Sequence, residues 1–321
     1  MRKIGILTSG GDAPGMNAAV RAAVRSAIYF GIKIYGIEQG YEGLLNKEVR
    51  VMGVSSVSDI LQRGGTILRT ARSERFMTPE GHKLAADVLE SFGIGALIVV
   101  GGDGSFRGAL DLGKTGVTVI GIPATIDNDL AYTDYTIGFD TAVNTVLSAV
   151  SNIRDTSSSH ERTTIIEVMG RHCGDIALHA GLCGGAEQIL IPEEAVNIND
   201  LCHKVTQGRE RGKRHSIIIK AEGVELSSQE LADTIKERTG LETKIVVLGY
   251  IQRGGSPTAR DRMLASRMAY KAVELIRNGC EGSMAIGTRG ETIEVYELSE
   301  ALEMKGQRDM GIMRLADILS I

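Results

Sequence analysis

Only 5 prolines and 4 cysteines occur in 321 residues, and no apolar run approaches the ~20 residues of a membrane-spanning helix. The cysteines (Cys173, Cys183, Cys202, Cys280) show no paired spacing. Neither a disulfide framework nor a zinc site is indicated, and a reducing cytoplasmic setting is expected. His172, Cys173, His179 and Cys183 invite a metal reading, but Cys-x9-Cys matches no usual ligand spacing, and the four are read as helix-packing residues. The opening residues, Met1-Arg-Lys-Ile-Gly-Ile-Leu7, turn polar too quickly for a secretory signal and read as a first strand. A net charge of −4 leaves no basic excess for a dedicated nucleic-acid binder. No Gly-x-Gly-x-x-Gly follows the first strand, and no P-loop is expected anywhere in the chain.

Glycine, by contrast, is abundant. Forty glycines without a repeat period point to tight turns and close backbone approaches, inside an otherwise ordinary mixture of 43% hydrophobic and 24% charged residues. Short apolar runs at 3–8, 32–37, 96–100, 117–122, 163–168, 188–191, 216–220 and 244–248 read as strands. Helical patterns at 17–30, 79–92, 141–154 and 227–238 lie among them. Continuous apolar strands separated by helices predict an α/β chain with parallel sheets covered on both faces, long enough for two cores. Ligands of such sheets bind where the strands end.

Four predicted strand exits carry unusual residues: Ser9-Gly-Gly-Asp-Ala-Pro-Gly15, Gly101-Gly-Asp-Gly-Ser105, Pro123-Ala-Thr-Ile-Asp-Asn-Asp129 and Met169-Gly-Arg-His-Cys-Gly174. Alone, each is an ordinary turn, because Gly, Asp and Asn favour turns. Together, two glycine loops opening helices offer backbone N–H groups to a polyphosphate, and Asp103 could hold Mg²⁺. Arg72, Arg162, Arg171 and Arg253, singly surface charges, jointly suit a second phosphorylated ligand. The residues therefore point to a Mg²⁺-dependent phosphotransferase, with Asp127 as the base taking a hydroxyl proton.

The motifs, in their order, resemble those of the bacterial ATP-dependent 6-phosphofructokinases. Gly10-Gly-Asp-Ala-Pro-Gly-Met-Asn17, the 101–105 loop, Thr125-Ile-Asp-Asn-Asp129, Asp155-Thr-Ser-Ser-Ser-His160, Met169-Gly-Arg171 and Gln252-Arg-Gly-Gly-Ser-Pro-Thr258 carry the likeness, which runs end to end. The resemblance implies two three-layer α/β domains with mostly parallel sheets. Residues 1–138 plus 251–301 would bind ATP and Mg²⁺, and 139–250 plus 302–321 fructose 6-phosphate. ATP would lie on Gly11, Arg72, Ser73, Gly102, Asp103, Gly104 and Ser105, with Asp103 serving Mg²⁺. Asp127, Thr125, Arg72 and Arg171 would be catalytic. Fructose 6-phosphate would meet Thr125, Ile126, Asp127, Met169, Gly170, Arg171, Glu222, Tyr250, Ile251, Gln252 and Arg253, and Arg162 with Lys244 would reach its 6-phosphate from a neighbouring subunit of a homotetramer.

An effector pocket for ADP or phosphoenolpyruvate would use Arg21, Ala22, Ala23, Val24, Arg25, Arg154, Gly185, Ala186, Glu187, Arg211, Lys213, Arg214 and His215. Three positions depart from the family pattern: Lys244 stands for arginine, Tyr250 for histidine, and Val54 for an effector-site arginine. A pyrophosphate-dependent phosphofructokinase and a non-catalytic sugar-phosphate sensor are the competing readings. Gly104 and Ala124 stand where the pyrophosphate branch has a carboxylate and a lysine, and a sensor needs no base.

Overall fold

The computed structural model describes residues 3–306 and 310–320, and divides the chain into two compact units. The first comprises Met1–Ile126, Leu130–Thr141 and Arg253–Gly306, the second Asp127–Asp129, Ala142–Gln252 and Gln307–Ile321. Apart from the short excursion of Asp127–Asp129, the crossings fall after 141, 252 and 306, against expected crossings after 138, 250 and 301. Residues 1, 2, 307–309 and 321 of the expected domains lie outside the described residues.

In chain order, the first unit opens with β1 (Lys3–Thr8), α1 (Met16–Tyr29), β2 (Ile34–Ile37), α2 (Gly40–Leu45), β3 (Val49–Val51), α3 (Pro79–Phe92), β4 (Ile94–Gly101), α4 (Asp103–Gly113) and β5 (Thr118–Pro123). Helix α5 (Phe139–His160) begins there and carries the chain into the second unit. That unit holds β6 (Thr163–Val168), α6 (Asp175–Gly184), β7 (Gln188–Leu190), α7 (Ile198–Glu210), β8 (Ser216–Ala221), α8 (Ser228–Thr239) and β9 (Thr243–Val247). The first unit resumes with α9 (Ala259–Arg277), β10 (Ser283–Arg289), β11 (Thr292–Glu297) and α10 (Leu298–Glu303), and α11 (Met310–Leu319) closes the second.

Among the described residues, the first sheet runs β11-β10-β5-β4-β1-β2-β3, parallel from β10 to β2 and antiparallel at both edges. Strand β4 lacks alternation because both its faces are covered. Leu97 and Val99 pack with Tyr41, Phe76, Leu89, Phe106 and Leu298 of the α2–α3–α4–α10 side. The opposite face lies under α1 and α9, which pack against each other with Ala19, Ala23, Ala27, Ala265, Ala269 and Ala272 fully buried. Such small side chains let helices approach closely. From β1 the chain moves to β2 on one side, and from β4 to β5 on the other. The exits of β1 and β4 therefore form a topological switch point. The second sheet, β7-β8-β6-β9, is parallel throughout, with α6 and α11 packed together and α8 against β6 and β9.

Several sequence expectations need correction. The antiparallel edge strands β3 and β11, and β10 beside β11, were not anticipated: β3 has three residues and β11 is half-exposed, so neither edge shows an apolar run. Residues Gly108-Ala-Leu-Asp-Leu-Gly-Lys-Thr115 do spell a P-loop string, contrary to expectation. They lie in the last turns of α4, where Lys114 pairs with Asp111 at 2.6 Å and Thr115 bonds Leu112 O, so no strand leads into them and no phosphate loop forms. Helix α5 runs beyond the expected 141–154 to His160, with Ser158 and Ser159 bonding back to Asp155 O. Of the four residues read as helix-packing, His172 and Cys183 are exposed, and His172 and Cys173 precede α6.

Asp261 fastens the first turn of α5 to the first unit. Its buried carboxylate accepts the N–H groups of Gly138 (2.9 Å) and Thr141 (2.8 Å) and the Thr141 hydroxyl, while Thr258 caps its own helix, α9. Burial pushes this carboxyl up to about 6, against those three donors, which favour the ionised form. The native value lies above the unfolded ~3.9, so the native state binds the extra proton between about pH 4 and 6. The group's contribution is greatest below that window and is lost as pH rises through about 6. Asp261→Asn should abolish this slope. Thermal midpoints of both forms, compared from pH 4 to 7.5, should show a difference that changes up to about pH 6 and is flat above it.

Candidate functional site

In the first unit, the residues expected for a nucleotide gather at the switch point. Ser9 donates its N–H to Val100 O, and a methyl group at Gly101 would come within 2.6 Å of Ser9 O and 2.7 Å of Ser105 Oγ. The two loops can touch only because residue 101 is glycine. The segment leading to Arg72 is laid along the β1 exit: Thr8 Oγ1 donates to Arg69 O (2.8 Å) and Thr70 Oγ1 to Gly10 O. Arg72 is exposed, and Ser73 is held by Glu42. A methyl group at Gly11 would meet Arg253 Nη1 at 2.1 Å. Arg253, expected among the sugar-phosphate residues, thus lies across the Gly11 backbone, inside the first unit.

Gly102 is extended and leads into α4, whose N-terminus no side chain caps. The first-turn N–H groups and the helix dipole suit an anion there. Gly104 is exposed, with no atom within 4 Å of where a Cβ would stand. Thr125 packs beside Gly102, about as close as a Cβ there would allow (3.5 Å). Asp103 is gripped by its i+4 neighbour Arg107 through two bonds of 2.8 and 3.1 Å, which raise the Arg107 pKa. From behind, the buried Tyr41 hydroxyl donates to Ser105 O at 2.7 Å. Tyr41 stacks on Phe76 at 3.9 Å, over the space that Gly108 leaves.

In the second unit, Asp127 has a side chain only 3% exposed, and its Oδ2 lies 3.3 Å from Arg171 Nε. The β6 exit that carries Arg171 is bent: Gly170 has φ 138° and Arg171 φ 53°, the left-handed region that non-glycine residues avoid. Glu222 Oε1 offsets the strain by accepting the N–H groups of Gly170 (3.2 Å) and Arg171 (2.9 Å). The next residue, Gly223, would drive a methyl group to 2.0 Å from Arg171 O. Met169 N–H is bonded to the fully buried Gln252 at 3.2 Å, whereas Tyr250 and Ile251 are exposed. Ile126 is buried and belongs to the first unit. Arg162 and Lys244 converge on Glu242, at 3.2 and 3.0 Å. The Lys244 bond, then the Arg162 charge, lower the Glu242 pKa.

The residues expected around an effector fall partly together. Arg154 donates to Gly184 O and Gly185 O at 2.6 and 2.8 Å and lies 3.4 Å from His215 Nε2. Glu187 accepts the Ile217 N–H and stands 3.7 Å from Lys213 Nζ; Arg211 and Arg214 are exposed and Ala186 is buried. In the first unit, burial and the neighbouring Arg25 charge lower the Arg21 pKa. Ala23 and Val24, expected among the same residues, are fully buried in the α1 core face.

Sequence reasoning missed Tyr41, Phe76, Arg107, Gly223 and Glu242. Arg107 was readable, four residues after Asp103 on a helix, as was Glu242, two residues before Lys244 at the start of β9. The others are long-range contacts with no local signal.

Two α/β units, one with an uncapped helix start and glycine loops at a switch point, the other with a buried carboxylate facing an exposed guanidinium, define a two-unit phosphate-handling scaffold. The chain belongs to the phosphofructokinase family, whose model, described as Phosphofructokinase, matches residues 3–276. Over 320 residues, spanning all of both chains, it is 56% identical to the ATP-dependent 6-phosphofructokinase of Clostridium botulinum. It is 57% identical over 321 residues, again all of both chains, to that of Alkaliphilus metalliredigens. Phosphofructokinase from Saccharomyces cerevisiae superposes with a TM-score of 0.90 at 36% identity, and the present chain spans 48% of that longer chain. A pyrophosphate-dependent phosphofructokinase from Marinobacter aquaeolei, 23% identical with a TM-score of 0.87, shares the fold over all of this chain and 92% of its own.

Gly223→Ala should push the Arg171 carbonyl away and disturb the Arg171–Asp127 pair. A displacement of about 1 Å suffices to weaken a positioned site by up to ~10²-fold. Calorimetric affinity for fructose 6-phosphate, the acceptor implied by the resemblance, should fall at least about tenfold; unchanged affinity would show that the loop absorbs the methyl group.

Proposed function

We propose that this chain is an enzyme that transfers the γ-phosphoryl group of ATP to the 1-hydroxyl of D-fructose 6-phosphate, releasing fructose 1,6-bisphosphate and ADP in the committed step of glycolysis. The observation that carries this reading is the nearly buried Asp127 paired with Arg171 on a strained strand exit. A binding protein has no need of a sequestered base, whereas proton removal from a hydroxyl does. The names of the relatives at 56–57% identity support the same activity.

In this mechanism the α4 N-terminus and residues 102–105 bind the nucleotide phosphates, with Gly11, Arg72 and Ser73. Thr125 lies beside the transferred group, and Asp127 takes the 1-hydroxyl proton as the new P–O bond forms. Arg72 and Arg171 stabilise charge on the moving group, while Glu222, Met169, Gly170 and Gln252 orient the sugar. A lone carboxylate in an open helix turn fits Mg²⁺, which takes few protein ligands and completes its shell with phosphate oxygens and water. Asp103 would hold it, the Arg107 fork giving way, and the ion supplies charge neutralisation on the phosphates.

Gly104 and Ala124 favour ATP over pyrophosphate, since neither brings a charge or bulk against the adenosine side of the donor. The enzyme works as a homotetramer in the cytoplasm, with Arg162 and Lys244 completing a neighbour's 6-phosphate site. No helix among the described residues is long and apolar enough to cross a membrane. ADP and phosphoenolpyruvate act at the Arg21, Arg25, Arg154, Glu187 and Lys213 positions, weakened by Val54.

A coupled assay with fructose 6-phosphate should show turnover with ATP and little with pyrophosphate; equal rates would refute the donor assignment. Asp127→Ser should lower kcat by at least about 10²-fold with sugar-phosphate affinity little changed. Replacing Arg21 and Arg25 together by alanine should blunt the response to ADP and phosphoenolpyruvate at subsaturating fructose 6-phosphate. Identical responses of variant and parent would reduce these arginines to surface charge.

A further inference from the structure

Lys220 is 2% exposed, although lysine is almost never buried without a partner. Its ammonium lies 3.3 Å from Glu167 Oε2 and 3.4 Å from Ala221 O. Glu167 also accepts the hydroxyl of Ser228, the first residue of α8, and its backbone carbonyl accepts Leu248 N–H at 3.1 Å. In the sheet register Glu167 stands opposite Lys220 on β8 and Val247 on β9. One further row, Val168 opposite Ala221, separates this one from the exits that carry residues 169–171 and Glu222, and on β9 it is the last row before residues 249–252. Residues 220 and 222 project from one face of β8. Each holds the β6 exit, Lys220 through the Glu167 carboxylate and Glu222 through the N–H groups of Gly170 and Arg171.

We propose that Lys220 and Glu167 form a register lock that positions the sugar-phosphate half of the site. The rows below it are apolar, with Ile165 and Ile166 against Ile218 and Ile219, and such contacts tolerate a small slide of one strand along another. A buried ammonium does not: any slide takes it from its carboxylate with no water to replace it. The lock therefore fixes, to the fraction of an ångström that phosphate recognition needs, where Arg171, Glu222 and Gln252 stand. Both residues are positioning residues, and the inference rests on the reading that this unit binds fructose 6-phosphate.

The test uses the full-length enzyme with Lys220→Met, Glu167→Gln and the double variant. Each should raise KM for fructose 6-phosphate and its calorimetric Kd about tenfold, with kcat and KM for ATP within about twofold. The double variant separates the lock from simple stability. With no stranded charge its thermal midpoint should return toward the parent's, yet its KM for fructose 6-phosphate should stay raised. A folded double variant with parental KM and Kd overturns the proposal, and if Lys220→Met does not fold, Glu167→Gln and the double variant decide it alone. Parent enzyme that fails to bind fructose 6-phosphate would instead sink the functional reading.

Discussion

Parallel strands that end in one row send their exits into the same few ångströms, and in this protein backbone there meets backbone. A methyl group at Gly101 would lie 2.6 Å from Ser9 O and one at Gly223 2.0 Å from Arg171 O. At these glycines no side chain fits, so the main chain itself comes to the surface of the loops and presents its N–H groups there. Part of the abundance of glycine follows from this crowding, and part from turns at positive φ. The same crowding places Arg171 in a left-handed conformation, a strain of order 1–3 kcal/mol that persists because Glu222 holds both neighbouring amides.

Charge is organised on a second rule. Several of the cations expected to meet phosphate already hold a carboxylate: Arg171 holds Asp127, Arg162 and Lys244 hold Glu242, and Lys213 faces Glu187. Where both partners are open to solvent, as for Arg162 and Lys244 on Glu242, such pairs contribute little stability. That is enough to orient a long side chain and too little to resist a phosphate, which accepts more and stronger hydrogen bonds. The carboxylates keep the binding groups near their working positions while leaving them exchangeable. Lys220 and Glu167 differ in kind, because the lysine is out of reach of water and has nothing to exchange with.

Much of the fold was legible because it follows from local pattern. The strands at 3–8 and 163–168 and the helix at 79–92 match the sequence reading, the helix through Thr78 as cap, Pro79 in its first turn and Gly93 past its end. Apolar runs without alternation correctly implied sheets covered on both faces. The edge strands escaped notice because half-exposed strands carry no apolar run, and the string at 108–115 shows that a motif without its strand and loop has no chemistry.

The sequence by itself determined the fold class and the loops that would carry function, since glycine between strand and helix and paired aspartates at a strand exit are local chemistry. Only the tertiary structure decided which groups those loops face. Tyr41 reaches Ser105, Arg253 lies over Gly11, Asp261 caps a helix more than a hundred residues away, and Lys220 finds Glu167 across two strands. Each of these depends on strand order and register, which are set by the packing of the whole sheet and leave no mark on neighbouring residues in the chain.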